Sequence, residues 1–146
     1  DVQDRVAAEG RAFAADPSFS NLSRLRFTRD VFRETLRLYP PVPMMVRETV
    51  RPETFRGRAV RIGAQVVLSP WHLHRHERLW ANPDGFDPDA GPRVCTGAGF
   101  AMAEGVLLLA LIAAAVRVAP EGPPPVPVAH LTVRARDGIR LAVIPR

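Results

Sequence analysis

From Val106 to Val116 the chain runs without a single polar side chain, inside a longer apolar stretch from Gly97 to Val118 that Pro120 closes. Such a stretch has to be buried in protein or placed in a membrane. Its uninterrupted part is shorter than the roughly 20 residues that span a bilayer. Extending it to that length brings in Glu104, which costs about 2.5–3.5 kcal/mol at the centre of an inserted helix. The reading is therefore a core helix around which everything else must pack, with no membrane segment in this chain.

The other elements are shorter. Val2 to Ala15 reads as an amphipathic helix that Asp16-Pro17 ends. Asn21 to Arg26 is a polar connector, and Thr28 is placed to cap a second helix carrying Phe32, Leu36 and Leu38. Pro40-Pro41 stops that helix, and 43–47 is extended. The runs 59–62 and 65–68 around Gly63 read as a hairpin, and so do 130–135 and 139–144 around Asp137-Gly138. Pro70 suits the first turn of a short helix, one or two turns within Trp71 to Leu79. Asn82-Pro83-Asp84-Gly85 and Asp87-Pro88-Asp89 carry turn chemistry, and Pro-rich 121–127 is extended. This order describes a mainly α chain with small β-hairpins, α+β with segregated sheets. Residues 1–146 form a single partial domain. The acidic opening is not a signal peptide, and the absence of an initiator Met is expected of a piece of something longer.

Composition removes several function classes. All 20 basic residues are Arg, so no phosphate loop with its Lys and no Lys Schiff base can form. The arginines are scattered and aromatics are only 7%, which argues against a nucleic-acid binder. The one cysteine, Cys95, can form neither an internal disulfide nor a multi-Cys zinc site. His72, His74 and His76 are close in sequence, with only Glu77 as a neighbouring acid, and read as solvated surface residues rather than metal ligands.

Two features remain. Glu34 and Arg37 share a helix face; by spacing alone a surface ion pair is the commoner outcome. Cys95 lies between Gly91 and Gly97, just before the long helix and two residues from Arg93. A helix N-terminus and a nearby cation favour a thiolate. The flanking glycines let backbone approach a flat ligand. A buried structural thiol, a nucleophile and a ligand to a larger cofactor all remain open on these residues.

Taken together, the motifs resemble the cytochrome P-450 family of haem-thiolate monooxygenases. Glu34-Thr-Leu-Arg37-Leu-Tyr-Pro-Pro is similar to the family's Glu-x-x-Arg helix with its proline stop. Trp71-His-Leu-His-Arg75 and Trp80-Ala-Asn-Pro-Asp-Gly-Phe86-Asp-Pro88 resemble the approach to its meander. Gly91-Pro-Arg93-Val-Cys95-Thr-Gly97 resembles its thiolate loop, and Ala101-Met-Ala-Glu104 the helix that follows. Leu131-Thr-Val-Arg and Gly138-Ile-Arg-Leu resemble its closing hairpin. The resemblance covers essentially the whole chain, but only the C-terminal third or so of a family member.

The family's properties then become expectations: the C-terminal part of its fold, and haem iron as cofactor. Cys95 would be the metal ligand. Arg93 and Arg47 would hold the haem propionates, with Gly91 and Gly97 lining the cofactor. Glu34 and Arg37 would be a buried structural pair. Met44, Met45, Val46, Leu131 and Thr132 would face a small apolar organic substrate. A ferredoxin or flavoprotein reductase would be the redox partner, and Arg-for-Lys bias suggests a soluble bacterial, cytoplasmic protein. Departures accompany these matches. Pro88 stands where the family has a Phe, and Ala90 where its meander has an Arg. The intervening stretch is missing, with a join near Asp89-Ala90. The alternative is therefore a truncated, catalytically inactive remnant with weak or no haem binding. Its Glu34–Arg37 cluster would be left half-satisfied.

Overall fold

A computed structural model of the chain describes residues 1–89, 98–129 and 132–146. Helix α1 (Val2–Ala15) starts where the Asp1 side chain accepts from the Asp4 amide, at 2.9 Å. It buries Val6, Ala7 and Gly10. The connector after it is a 3-10 helix, Ser20–Arg24, held by Asn21, whose Nδ2 donates to the Asp16 carbonyl and carboxylate at 2.9 and 2.8 Å.

Helix α2 (Arg26–Leu38) begins two residues before Thr28, which is therefore not its cap. Thr28 is fully buried, and a residue of α1 does the capping instead. The Glu9 carboxylate accepts from the Phe27 and Thr28 amides at 2.9 and 2.8 Å and from Thr28 Oγ1 at 2.7 Å. These are the orphan donors of a helix start, met by an anion where the helix dipole favours one.

Both expected hairpins pair differently. Strands β1 (Met45–Glu48), β2 (Glu53–Phe55), β3 (Arg58–Val60) and β4 (Gln65–Leu68) are nested: β2 pairs with β3 and β1 with β4, all antiparallel. Arg56 and Gly57, at φ 51° and 76°, make the two-residue turn that captures β3 for β2. Thr49 then closes the crossing between the ladders: its amide donates to the Ala64 carbonyl and its hydroxyl to the Arg61 carbonyl, at 3.1 and 2.6 Å. Helix α3 (Pro70–Leu73) follows, with Pro70 in its first turn as expected, and it is a single turn that ends at Leu73 rather than reaching Leu79.

Helix α4 (Ala98–Ala115) is the long apolar helix, and it stops at Ala115 rather than Val118. The chain passes directly into β5 (Val116–Pro120), because these β-branched positions have a partner strand. β5 pairs with β8 (Leu141–Pro145), and β6 (Pro127–Ala129) with β7 (Val133–Ala135). The C-terminal strands thus repeat the nested plan, and the turn at Asp137-Gly138 does not join a hairpin. Among the described residues the sheets are four separate two-stranded ladders beside the helices, an α+β arrangement. No described helix is long and apolar enough to cross a membrane.

The core sits where α1, α2 and α4 meet. Leu25, Val106 and Ala110 are buried there, with Phe13, Leu22, Phe32 and Met102 packed against them. Two glycines set the spacing. A Cβ at Gly10 would lie 2.1 Å from the Ala110 carbonyl oxygen, and one at Gly105 would lie 2.3 Å from the tip of the Phe32 ring. Leu108, Leu111 and Ile112, on the rest of α4, remain exposed.

The start of α1 is tied to the C-terminal sheet. Gln3 Nε2 donates to the Val118 carbonyl at 2.8 Å, and the Val118 amide donates back to Gln3 Oε1 at 3.0 Å. Asp4 pairs with Arg146 and Arg117 at 2.8 and 3.0 Å, and Asp1 also pairs with Arg117. The Arg146 hydrogen bond, with help from Arg117, holds the Asp4 carboxyl at about 2 against an ordinary 3.8.

Two outcomes are expected. Gly10→Ala should cost about 1–3 kcal/mol in urea unfolding, since the obstacle is backbone and the helices must part. The Asp4 contribution is complete above its ordinary value and disappears as pH falls from there towards 2. Asp4→Asn should therefore flatten the acid limb of a stability–pH curve in that window and leave its slope near neutrality unchanged.

Candidate functional site

The three-residue spacing of Glu34 and Arg37 on α2 brings their side chains together. The Arg37 side chain is 2% exposed and that of Glu34 7%, so the pair is buried rather than on the surface. Arg37 Nε donates to Glu34 Oε2 at 2.8 Å, and Nη2 to Oε1 at 2.7 Å. Nη1 donates to the carbonyls of His74 and Pro83 at 2.8 and 2.6 Å, and Nη2 also to that of Gly85 at 2.7 Å. All five guanidinium donors are thus used. The Asp87 amide donates to Glu34 Oε1 at 2.9 Å, and the guanidinium carbon lies 4.5 Å from the Trp80 ring centroid.

The expectation of a half-satisfied cluster is thereby corrected. Among the described residues, the carbonyls of His74, Pro83 and Gly85 accept from Arg37 and the Asp87 amide donates to Glu34. The reason is turn geometry. Asn82 Oδ1 accepts from the Gly85 amide at 3.1 Å, and the bend turns the Pro83 and Gly85 carbonyls towards α2. The sequence marked this segment as a turn, but not as the acceptor of a buried cation.

His74 departs from the solvated-histidine reading. It is half-buried, with Nδ1 3.1 Å from the Arg37 carbonyl while its own carbonyl accepts from Arg37. His72 Nδ1 lies 2.7 Å from Ser69 Oγ, and His76 Nδ1 accepts from the Arg78 amide. Among the described residues no three His, Cys, Asp or Glu gather as a metal site.

The expected cofactor and substrate residues are only partly placed. Cys95, Arg93, Gly91, Gly97 and Leu131 lie outside the described residues. Met44, Val46 and Arg47 are exposed and Met45 is half-buried. Strand alternation on β1 puts Met45 and Arg47 on one face and Val46 on the other, so these residues cannot all face one ligand. Arg47 Nη1 donates to the Val46 carbonyl at 3.0 Å and makes no ion pair among the described residues. Thr132 is exposed beside Val133, whose amide donates to the Pro41 carbonyl at 3.0 Å. The Trp71 amide and Ser69 hydroxyl both donate to the Pro43 carbonyl, at 3.3 Å. The residues after the double-proline stop thus lie with α3, β6 and β7 around an open cleft of about 250 Å³, walled by Met44, Trp71, Val128 and Val133. Only Met44 among these was expected from sequence.

That cleft is smaller than the roughly 300–1,000 Å³ that encloses a drug-sized ligand. On the β1 face away from Met44, Arg47 has no ion-pair partner among the described residues and stands beside Met45; a guanidinium next to an apolar side chain suits the anionic rim and apolar body of a haem.

The family model for cytochrome P450 matches residues 1–89. The chain belongs to the cytochrome P450 family. Mouse cytochrome P450 4X1 is 36% identical over 163 aligned positions, covering 95% of this chain and 32% of the mouse protein. Cyclooctatin synthase of Streptomyces melanosporofaciens is 35% identical over 123, covering 71% of this chain and 27% of its own length. The crystal structure of the cytochrome P450DA haem domain superposes with a TM-score of 0.85 at 28% identity, over 99% of this chain and 37% of that one. The chain thus spans about a third of the length of the P450 relatives it matches, and its α+β arrangement is part of the P450 fold.

Leaving Arg37 without Glu34 strands a buried charge. Glu34→Ala should cost about 3–5 kcal/mol in thermal or urea unfolding and sharply reduce soluble protein. A cost near that of a surface pair, below about 1 kcal/mol, would contradict the burial described.

Proposed function

We propose that this chain supplies the thiolate-bearing part of a haem monooxygenase site for a small apolar organic substrate. The observation that carries this reading is the buried Glu34–Arg37 pair. It stitches α2 to the 83–87 segment, which leads into the stretch holding Cys95. A haem with a cysteine thiolate ligand supplies O–O bond cleavage. Cys95 offers the sulfur, and α4, opening just after it, favours the thiolate form. Gly91 and Gly97 keep side-chain bulk away from a flat ligand. Arg47 and Arg93 hold the propionates. Met44, Leu131 and Thr132 supply contacts to the substrate; Met45 and Val46 lie on opposite faces of β1, so only one of them joins these contacts, and Met45 shares the Arg47 face. Glu34 and Arg37 touch neither substrate nor cofactor and only hold the frame. Electrons come from NAD(P)H through a ferredoxin or flavoprotein reductase. A cytoplasmic, bacterial setting is supported by the Lys-free composition alone.

One observation favours the remnant reading, in which the chain binds haem weakly or not at all. The family-model match ends at residue 89, the join read from the sequence. The alignment with the mouse relative spans 163 positions, more than the 146 residues of this chain, so part of the relative's aligned stretch has no counterpart here. The test is a carbon monoxide difference spectrum of the reduced chain supplied with haem. A red-shifted thiolate band that Cys95→Ser abolishes, with the fold retained, supports the monooxygenase reading. A folded chain without that band carries the remnant reading instead.

A further inference from the structure

We propose that Arg75 is a positioning residue for the cleft beside Met44: its guanidinium holds the Trp71 indole as a wall, so a cation that does not line the cleft decides which apolar group fits there. The inference deepens the reading of an apolar substrate in contact with Met44 and rests on that reading.

Trp71 walls the cleft, and Arg75 is not among its described lining residues. The backbone goes on turning past α3: the His74 amide donates to the Pro70 carbonyl at 2.8 Å, and the Arg75 amide to the His72 carbonyl at 3.2 Å. The fourth residue after Trp71 therefore comes back over its ring. The Arg75 guanidinium carbon lies 3.8 Å from the Trp71 ring centroid and 5.8 Å from that of Tyr39, at the end of α2. Both are within the roughly 6 Å at which a ring face attracts a cation. The two rings meet edge to face with centroids 6.4 Å apart, so the cation and both rings form one cluster.

Little else holds this guanidinium. The Arg75 side chain is 17% exposed, and its Nη1 is buried with no hydrogen-bond partner among the described residues. Its Nε lies 3.3 Å from Asp84 Oδ1, but the Asp84 side chain is 82% exposed, and such a pair is weak. The ring faces are thus the main compensation for a largely desolvated charge, and that attraction fixes ring and cation together. The base of the cluster is fixed as well. The carbonyl of His74, one residue earlier, accepts from the buried Arg37, and Asp84 lies between Pro83 and Gly85, whose carbonyls do the same. Arg75 thereby joins the buried polar frame to the cleft wall.

The indole itself reports the test. The chain has two tryptophans, and Trp71→Phe supplies the Trp80 background to subtract. Quenching of Trp71 emission is measured in the full chain without haem, with trichloroethanol as an apolar probe and acrylamide as a polar one. An indole held against an apolar cleft favours the first. Arg75→Met, which keeps an apolar stem and removes the charge, should lower the trichloroethanol-to-acrylamide ratio by about two-fold or more. Arg75→Lys should recover part of it, and Asp84→Asn, which leaves the stack, should lower it less than Arg75→Met. General loosening would raise quenching by both probes together and leave the ratio unchanged. That result, or Arg75→Lys no better than Arg75→Met, would overturn the proposal. If Arg75→Met does not fold, Arg75→Lys and Asp84→Asn carry the comparison, and a ratio unchanged in both overturns it. The carbon monoxide spectrum is read separately: its failure removes the haem reading, while the quenching ratio still decides the part played by Arg75.

Discussion

A guanidinium taken out of water costs several kcal/mol unless each of its donors is met. Arg37 is in that position, and its five donors reach across three parts of the chain: its own helix, the turn at His74, and the segment around Pro83 and Gly85. None of those acceptors can move without stranding a buried charge. The His74 carbonyl and the Pro83–Asp87 segment, which has little secondary structure of its own, are therefore held against α2 by this pair. The apolar core of the described residues is small, and this polar network orders much of what the core does not reach.

Helix α1 is the second frame, and it works mainly through polar side chains. Glu9 caps α2, Gln3 clamps β5, Asp1 and Asp4 hold Arg117 and Arg146, and Arg5 reaches Asp89. Its one close backbone approach, at Gly10, lets α4 pack without intervening bulk. The two nested strand pairs follow a different logic. In each, a local turn residue with positive φ lies between strands that both find partners elsewhere. A strand takes the partner that satisfies most ladder positions, and for β4 and β8 that partner lies far back in sequence.

Helix α1 was legible to the residue, because apolar spacing and the Asp16-Pro17 stop are local signals. The short helix at Pro70 was legible for the same reason, and so was the core helix α4 apart from its last turn. The family was legible because its motifs are runs of particular residues, and the family match and the superposition agree on the family. Spacing placed Glu34 and Arg37 on one face, but gave no sign of whether that face was wet or dry. Strand partners were misjudged at both hairpins, because turn propensity ranks near neighbours and a distant strand leaves no mark in a local window.

What the sequence determined by itself, then, was local: where helices run, where prolines and glycines stop them, and to which family its motifs belong. The tertiary structure alone decided which strands pair, that Glu9 rather than Thr28 caps α2, that the Glu34–Arg37 pair is buried, and which carbonyls satisfy it. The physical reason is that each of these depends on free energy shared between groups many residues apart. A hydrogen bond or a burial has a value only once both partners are in place, and the chain's order says little about which distant groups will meet.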